Sequence, residues 1–180
     1  MKKVRIIPAA RSDDELQIAV GSDAEIIFML APNITYLKKQ AEIVHKSGKK
    51  FFIHLDLAEG IGKDEYGIRF AKEQGVDGII STRTNIIKIA KKENLFTVQR
   101  FFAVDSQSVC TIAETAKASK ADMIEIMPGI VTKVIKKLKE ETDKPIVAGG
   151  LIDTVEEIRE AVLCGATAVS TGEKAFWEGV

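Results

Sequence analysis

Apolar residues fall into two rhythms along the chain. Runs of strand length recur at Val4–Ala10, Glu25–Ala31, Phe51–Leu57, Gly78–Thr82, Phe96–Phe101, Met123–Met127, Ile146–Ala148 and Thr167–Ser170. Between them apolar positions return at helical spacing: Val131, Val134, Ile135 and Leu138 make one stripe, while Lys133, Lys136, Lys137 and Lys139 point elsewhere. Helix starts are marked as well. Ser12 with Glu15 and Thr154 with Glu157 have the spacing by which side chains satisfy the orphan amides of a first turn. Strict alternation of strand and helix implies parallel strands joined by right-handed crossovers, and eight of them can close into a barrel. An open doubly wound sheet is the competing arrangement.

At 180 residues the chain is short for eight units, so the helices must be short or one unit degenerate. The last segment, Glu173–Val180, offers at most a helical stub. The expected fold is therefore a compact TIM-type (β/α) barrel of seven or eight parallel strands with a degenerate last unit, in a single domain over residues 1–180.

In such barrels ligands sit at the carboxyl ends of the strands, and a phosphate often rests between the loops after strands seven and eight. Here those loops read A-G-G-L at Ala148–Leu151 and S-T-G at Ser170–Gly172. Glycine has no Cβ, so a backbone can approach an anion closely and turn its amides toward it. Gly149, Gly150 and Gly172, with the hydroxyls of Ser170 and Thr171, are the expected phosphate cup. Simple tight turns are the alternative reading. A phosphate needs a cation, and Lys174 and Arg83 are candidates that the sequence does not place.

Alternation puts Phe52, His54 and Asp56 on one face of the third strand and Ile53, Leu55 and Leu57 on the other. In a barrel the first set faces the lumen. Glu125 and its flanking methionines do the same on the sixth strand, with Arg100 as a possible partner for the carboxylate. The set His54, Asp56, Asp64, Glu65 and Glu125 can also be read as acid–base groups or as Mg²⁺ ligands, although Asp64 and Glu65 stand at what looks like a helix start, where stabilising the N-terminus is the commoner role. No nucleophile elbow, P-loop or dinucleotide fingerprint is present, so no reaction is selected.

Composition narrows the partners. Lys+Arg and Asp+Glu balance at 26 each, so a nucleic-acid surface would have to be a local patch. The best basic faces are Lys88, Lys91 and Lys92, and Lys133, Lys136, Lys137 and Lys139. Both are also what an ordinary solvated helix presents. No apolar run is long enough to span a bilayer, and the N-terminus lacks a signal-peptide pattern. Cys110 and Cys164 have no metal-like spacing and read as core thiols of a reducing cytoplasm.

Several stretches, in order along nearly the whole chain, resemble the glycerol uptake operon antiterminator family. They are R-I-I-P-A-A-R at Arg5–Arg11, F-I-H-L-D-L-A-E-G-I-G-K-D-E-Y-G-I at Phe52–Ile68, D-G-I-I-S-T-R at Asp77–Arg83 and T-V-Q-R-F-F-A-V-D-S at Thr97–Ser106. I-E-I-M-P-G at Ile124–Gly129, P-I-V-A-G-G-L-I at Pro145–Ile152 and G-A-T-A-V-S-T-G at Gly165–Gly172 complete the set. The resemblance implies a cytoplasmic bacterial regulator that responds to glycerol 3-phosphate and binds leader mRNA to prevent premature termination. No cofactor is implied, and a homo-oligomer is possible. It further implies that His54, Asp56 and Glu125 contact glycerol hydroxyls and perform no chemistry. Arg83 and the cup at Gly149, Gly150, Ser170, Thr171 and Gly172 would complete the ligand site, with Lys133, Lys136 and Lys137 as the RNA patch. Family members often end the last strand in S-T-S, and Gly172 stands here in place of the second serine. Ala58–Tyr66, with Gly60 and Gly62, is the expected lid. The alternative is a phosphate-binding barrel enzyme, an isomerase or lyase on a small phosphorylated metabolite, with Glu125 or His54 as base.

Overall fold

Strand and helix alternate from end to end of the computed structural model, which describes residues 4–179. The strands are β1 (Arg5–Ala10), β2 (Ile26–Met29), β3 (Lys50–His54), β4 (Gly78–Ser81), β5 (Phe96–Phe102), β6 (Met123–Met127), β7 (Ile146–Gly149) and β8 (Ala168–Thr171). Between them lie α1 (Asp13–Val20), α2 (Leu37–Lys46), α3 (Glu65–Glu73), α4 (Thr84–Lys92), α5 (Ser106–Ala118), α6 (Thr132–Glu141) and α7 (Val155–Leu163). All neighbouring strands pair in parallel, and β1 closes on β8 with Arg5 opposite Ala168 and Pro8 opposite Thr171. The expected TIM-type barrel is thus complete in its strands.

Period-two burial divides the apolar residues between two cores. One set, including Ile27, Ile53, Ile79, Ile124, Ile126 and Val169, points outward under the helices. The other, including Ile7, Phe28, Phe52, Ile80, Val98 and Val147, fills the lumen. Phe28 and Phe52 stack there with ring centroids 5.9 Å apart. Both helix starts read from the sequence are real caps. The Ser12 hydroxyl accepts from the Glu15 amide, and Thr154 with Glu157 forms a reciprocal capping box.

Among the described residues the eighth unit has no α-helix. A single 3-10 turn at Lys174–Phe176 follows β8, and Trp177 beyond it is 2% exposed, packed into the outer core. Its indole Nε1 donates to the Thr171 carbonyl at 2.9 Å. The stub expected at the end of the chain therefore does the covering work of a helix with one aromatic side chain.

At the opposite rim, two aspartates tie adjacent strands. Asp77, just before β4, accepts from the Phe51 amide and from Lys50 Nζ, both at 2.9 Å. Asp122, just before β6, accepts from the Thr97 amide at 2.9 Å and from Lys91 Nζ at 2.7 Å. Burial opposes the charge on each carboxylate, but these donors outweigh it and hold both carboxyls below their ordinary range.

Three expectations need correction. β3 stops at His54, because residues Leu55–Leu57 curl into a 3-10 turn, and Leu57 consequently stands in solvent instead of under a helix. Cys110 is exposed on α5, and Cys164, which caps α7, is only half-buried, so neither is a core thiol. The apolar stripes of these helices are instead Ile112, Ala113 and Ala116 on α5, and Ile158 and Ala161 on α7.

Candidate functional site

The carboxyl ends of the strands surround a hollow of about 290 Å³. Its walls come from both sides of the closure: Ala9 on β1 and Arg11 just beyond it, Arg100 on β5, Glu125 and Met127 on β6, Gly150–Asp153 after β7, Ser170 and Thr171 on β8, and Gly172 and Glu173 after it. The two glycine-bearing loops do converge. Among the described residues, the amides of Gly150, Leu151 and Ile152 have no protein acceptor. A phosphate oxygen accepts hydrogen bonds, so such amides suit it.

Backbone geometry explains the glycines. A Cβ on Gly149 would lie 2.5 Å from Ser170 Oγ and 2.6 Å from Glu125 Oε1, so only glycine fits beside that pair. Gly150 has φ +75° and Leu151 φ +57°, two successive left-handed residues that swing the loop over the hollow. Gly172 is different: its nearest neighbour to a Cβ would be the Ala9 carbonyl at 3.8 Å, which leaves room for a side chain.

In the floor lies a fully buried charge pair. Arg100 Nε donates to Glu125 Oε2 at 2.6 Å, and Ser170 Oγ donates to Glu125 Oε1 at 2.6 Å. Register sets this arrangement, since Arg100 sits directly opposite Glu125 across β5 and β6. The lumen carboxylate has the partner suggested for it from sequence. Thr171 is also engaged, its hydroxyl at 3.4 Å from the Ile152 carbonyl while accepting from the Glu173 amide. The two hydroxyls expected as phosphate donors are therefore committed within the protein. Donors toward the hollow come from amides and guanidinium groups.

Sequence reasoning missed Arg11 as a site residue, although a cation just beyond the end of β1 is adjacent to β8 in any closed barrel. The cations it named lie elsewhere. Lys174 pairs with Glu15 at 3.4 Å, and Arg83, at the end of β4, approaches Asp56 Oδ1 at 4.0 Å. Neither lines the hollow. The 3-10 turn after β8 is capped by Glu173, whose carboxylate accepts from the Ala175 amide.

His54 and Asp56 sit together at the end of β3, with very different surroundings. Asp56 is saturated by the end of β4 and the residue after it: it accepts from Ser81 Oγ at 2.7 Å and from the amide and hydroxyl of Thr82, both at 2.8 Å. Burial opposes its charge, yet these donors prevail and its carboxyl is held below the usual range. His54 is 5% exposed, and neither ring nitrogen has a partner among the described residues. Burial and the nearby Arg100 charge, opposed by Asp56, push its pKa down to about 4. At neutral pH the ring is uncharged, so its 3.8 Å approach to Asp56 is not an ion pair.

That shift has a measurable consequence. The folded state binds the His54 proton less readily than the unfolded chain, whose imidazole titrates near 6.5. The contribution is fully present above pH 6.5 and is lost as pH falls toward 4, with a slope of up to about 1.4 kcal/mol per pH unit. Urea denaturation at intervals between these limits should show this slope in the wild type and a flatter one in His54→Phe.

The remaining candidates lie away from the hollow. Asp64 caps α3 by accepting from the Gly67 amide at 2.9 Å, and Glu65 pairs with Arg69 one turn on. The expected lid is tied down: Lys63 Nζ bonds the Ala58 and Ile61 carbonyls, and the Glu59 amide donates to Pro32. On α6, Lys133 and Lys136 are exposed, whereas Lys137 leans toward α5 with Nζ 3.9 Å from Cys110 Sγ. No three His, Cys, Asp or Glu side chains gather as metal ligands among the described residues. No helix among them is long and apolar enough to cross a membrane.

Fold and hollow together define a closed eight-stranded (β/α) barrel with a polar, arginine-bearing mouth. The glycerol-3-phosphate responsive antiterminator family model matches residues 6–177, and the chain belongs to that family. The glycerol uptake operon antiterminator regulatory protein of Listeria monocytogenes superposes with a TM-score of 0.91 at 34% identity, over 98% of this chain and 96% of that one. An antiterminator-related protein of Thermotoga maritima gives 0.87 at 32% identity, over 98% and 99%. The uncharacterized protein YgcP of Escherichia coli is 36% identical over 173 residues, 96% of this chain and 91% of its own length. Deoxyribose phosphate aldolase of Aeropyrum pernix, at 14% identity and a TM-score of 0.73, shares the fold alone.

Proposed function

We propose that this protein is a glycerol 3-phosphate sensor that controls transcript elongation through leader mRNA and catalyses no reaction on its ligand. The observation that carries the reading is the hollow itself. In a chain of this family, Arg11 and Arg100 face a loop whose amides lack acceptors, and a phosphoester satisfies both. Its dianion meets the guanidinium of Arg100, held by Glu125, and that of the exposed Arg11, and the amides of Gly150–Ile152 bind its oxygens. Glu125 neutralises part of the Arg100 charge, holds the guanidinium in one orientation and is itself spent in doing so. It is thereby a poor general base, which sets the isomerase or lyase alternative behind the sensor.

Regulation then follows from linkage: the effector shifts the protein toward the RNA-competent state by the ratio of its affinities for the two states. The exposed lysines of α6, Lys133 and Lys136 with Lys137 beside them, are the face assigned to RNA.

Titration calorimetry with glycerol 3-phosphate tests the sensor, together with a turnover assay on the same solution. Saturable binding with the ligand recovered unchanged is expected, and recovery of a product would establish the enzyme instead. For the RNA face, charge reversal at Lys136 and Lys137 should lower affinity for the leader transcript and reduce its salt dependence. Unaltered salt dependence would remove α6 from the interface.

A further inference from the structure

Charge around the hollow is unevenly matched. Among the described residues, Arg11 and Arg100 are the only cations that line it, against three carboxylates, those of Glu125, Asp153 and Glu173. Glu125 and Arg100 are paired in the floor, so their charges largely cancel. That leaves Arg11 against Asp153 and Glu173, both exposed on the loops after β7 and β8. Neither acid is in an ion pair among the described residues. Glu173 spends one carboxylate oxygen on the Ala175 amide, a bond that keeps the group beside the end of β8. The Asp153 amide donates to Glu157, while its carboxylate has no partner among the described residues. Lys174, the next cation along the chain, is taken by Glu15.

From this we infer that Asp153 and Glu173 are specificity-determining residues: they reject phosphoesters that carry a second negative charge, and so confine the hollow to phosphates whose remainder is uncharged. The inference rests on the phosphoester reading above and narrows it.

One phosphate is provided for. Its oxygens have the unengaged amides of Gly150–Ile152 and the Arg100 guanidinium. A second anionic group on the same ligand would meet Arg11 at best, with two carboxylates beside it. Its wider surroundings are acidic as well. β8 pairs with β7 and β1, so α7 and α1 lie to either side, and their first turns add the exposed Glu156, Asp13 and Asp14. A field of one sign around a cleft acts on every charge that enters it, whereas a hydroxyl is indifferent to it. Selectivity is a difference of two affinities, so repelling the wrong ligand serves as well as gripping the right one. Each carboxylate, at about 6 Å from the offending charge in water-like surroundings, changes a binding constant by about 3-fold, and the two together by about 10-fold.

The test is a calorimetric series with inorganic phosphate, glycerol 3-phosphate and 3-phosphoglycerate, which has a carboxylate where glycerol 3-phosphate has its terminal alcohol. Wild type should bind glycerol 3-phosphate more tightly than 3-phosphoglycerate. In the double variant Asp153→Asn with Glu173→Gln, which preserves size and the acceptor for the Ala175 amide, that preference should shrink by about 10-fold, mainly through tighter binding of 3-phosphoglycerate. Each single variant should show about a 3-fold share of the change. Salt gives an independent reading that needs no variant: raising ionic strength from about 0.05 M to about 0.5 M should erode the wild-type preference, because exposed charges are screened. Equal affinity of wild type for the two esters, a preference that survives the double substitution, or one indifferent to salt would overturn the assignment while leaving the phosphoester site standing. Failure of inorganic phosphate and glycerol 3-phosphate to bind wild type would overturn both.

Discussion

Glu125→Ala should destabilise the protein by about 3–5 kcal/mol, the cost of leaving a buried charge without its counterion. The residue is 0% exposed, and both of its oxygens are in use, one by Arg100 and one by Ser170. Truncation would strand the Arg100 guanidinium, itself 6% exposed, in a barrel floor where no other acidic side chain contacts it among the described residues. Urea denaturation of Glu125→Ala, Arg100→Met and the double variant separates the pair from its parts. The double variant should be much more stable than the sum of the singles implies, since two apolar side chains can occupy that space without an unpaired charge. Losses below about 1 kcal/mol in both singles would show that water reaches the pair. The same substitution should weaken phosphoester binding, because it frees Arg100 to leave its present orientation.

The second large effect is expected at the other end of the chain. Trp177→Ala removes a fully buried indole from the gap where an eighth helix would lie, and large-to-small changes of this kind cost about 3–5 kcal/mol. Trp177→Phe keeps most of the ring volume but loses the donor to the Thr171 carbonyl, at about 1 kcal/mol. Because Thr171 also lines the hollow, both variants should weaken glycerol 3-phosphate binding, with Trp177→Phe the cleaner test of that coupling. If Trp177→Phe binds as the wild type does, the indole is a packing element alone.

Much of the fold was legible because it depends on patterns that neighbours in sequence impose. Strand-length runs alternating with helical stripes leave few topologies, and capping residues such as Ser12 and Thr154 mark where helices begin whatever surrounds them. The convergence of the β7 and β8 loops was equally readable, since barrel closure puts consecutive strand ends side by side. What failed depended on contacts across the barrel. Asp56 belongs to the lumen face by alternation, but the strand ends at His54, and Ser81 and Thr82 of another unit claim the carboxylate. Ser170 and Thr171 look like free donors until Glu125 and Ile152 are placed beside them. Arg83 and Lys174 were candidate cations that the sequence could not place, and neither lines the hollow, whereas Arg11, from the other end of the chain, does. The cysteines were judged by residue type, and helix phase decided otherwise.

The two aspartate ties at the amino-terminal rim have a consequence for how such a barrel can change. Asp77 and Asp122 sew β3 to β4 and β5 to β6, so the arc that keeps its shape is held from below by charged side chains. The loops after β7 and β8 belong to the other arc and to the opposite rim. The loop amides of the proposed ligand site and the two ties thereby lie at opposite rims, and residues 150–153 could be exchanged between relatives to retune binding while Asp77, Asp122 and Trp177 stay in place.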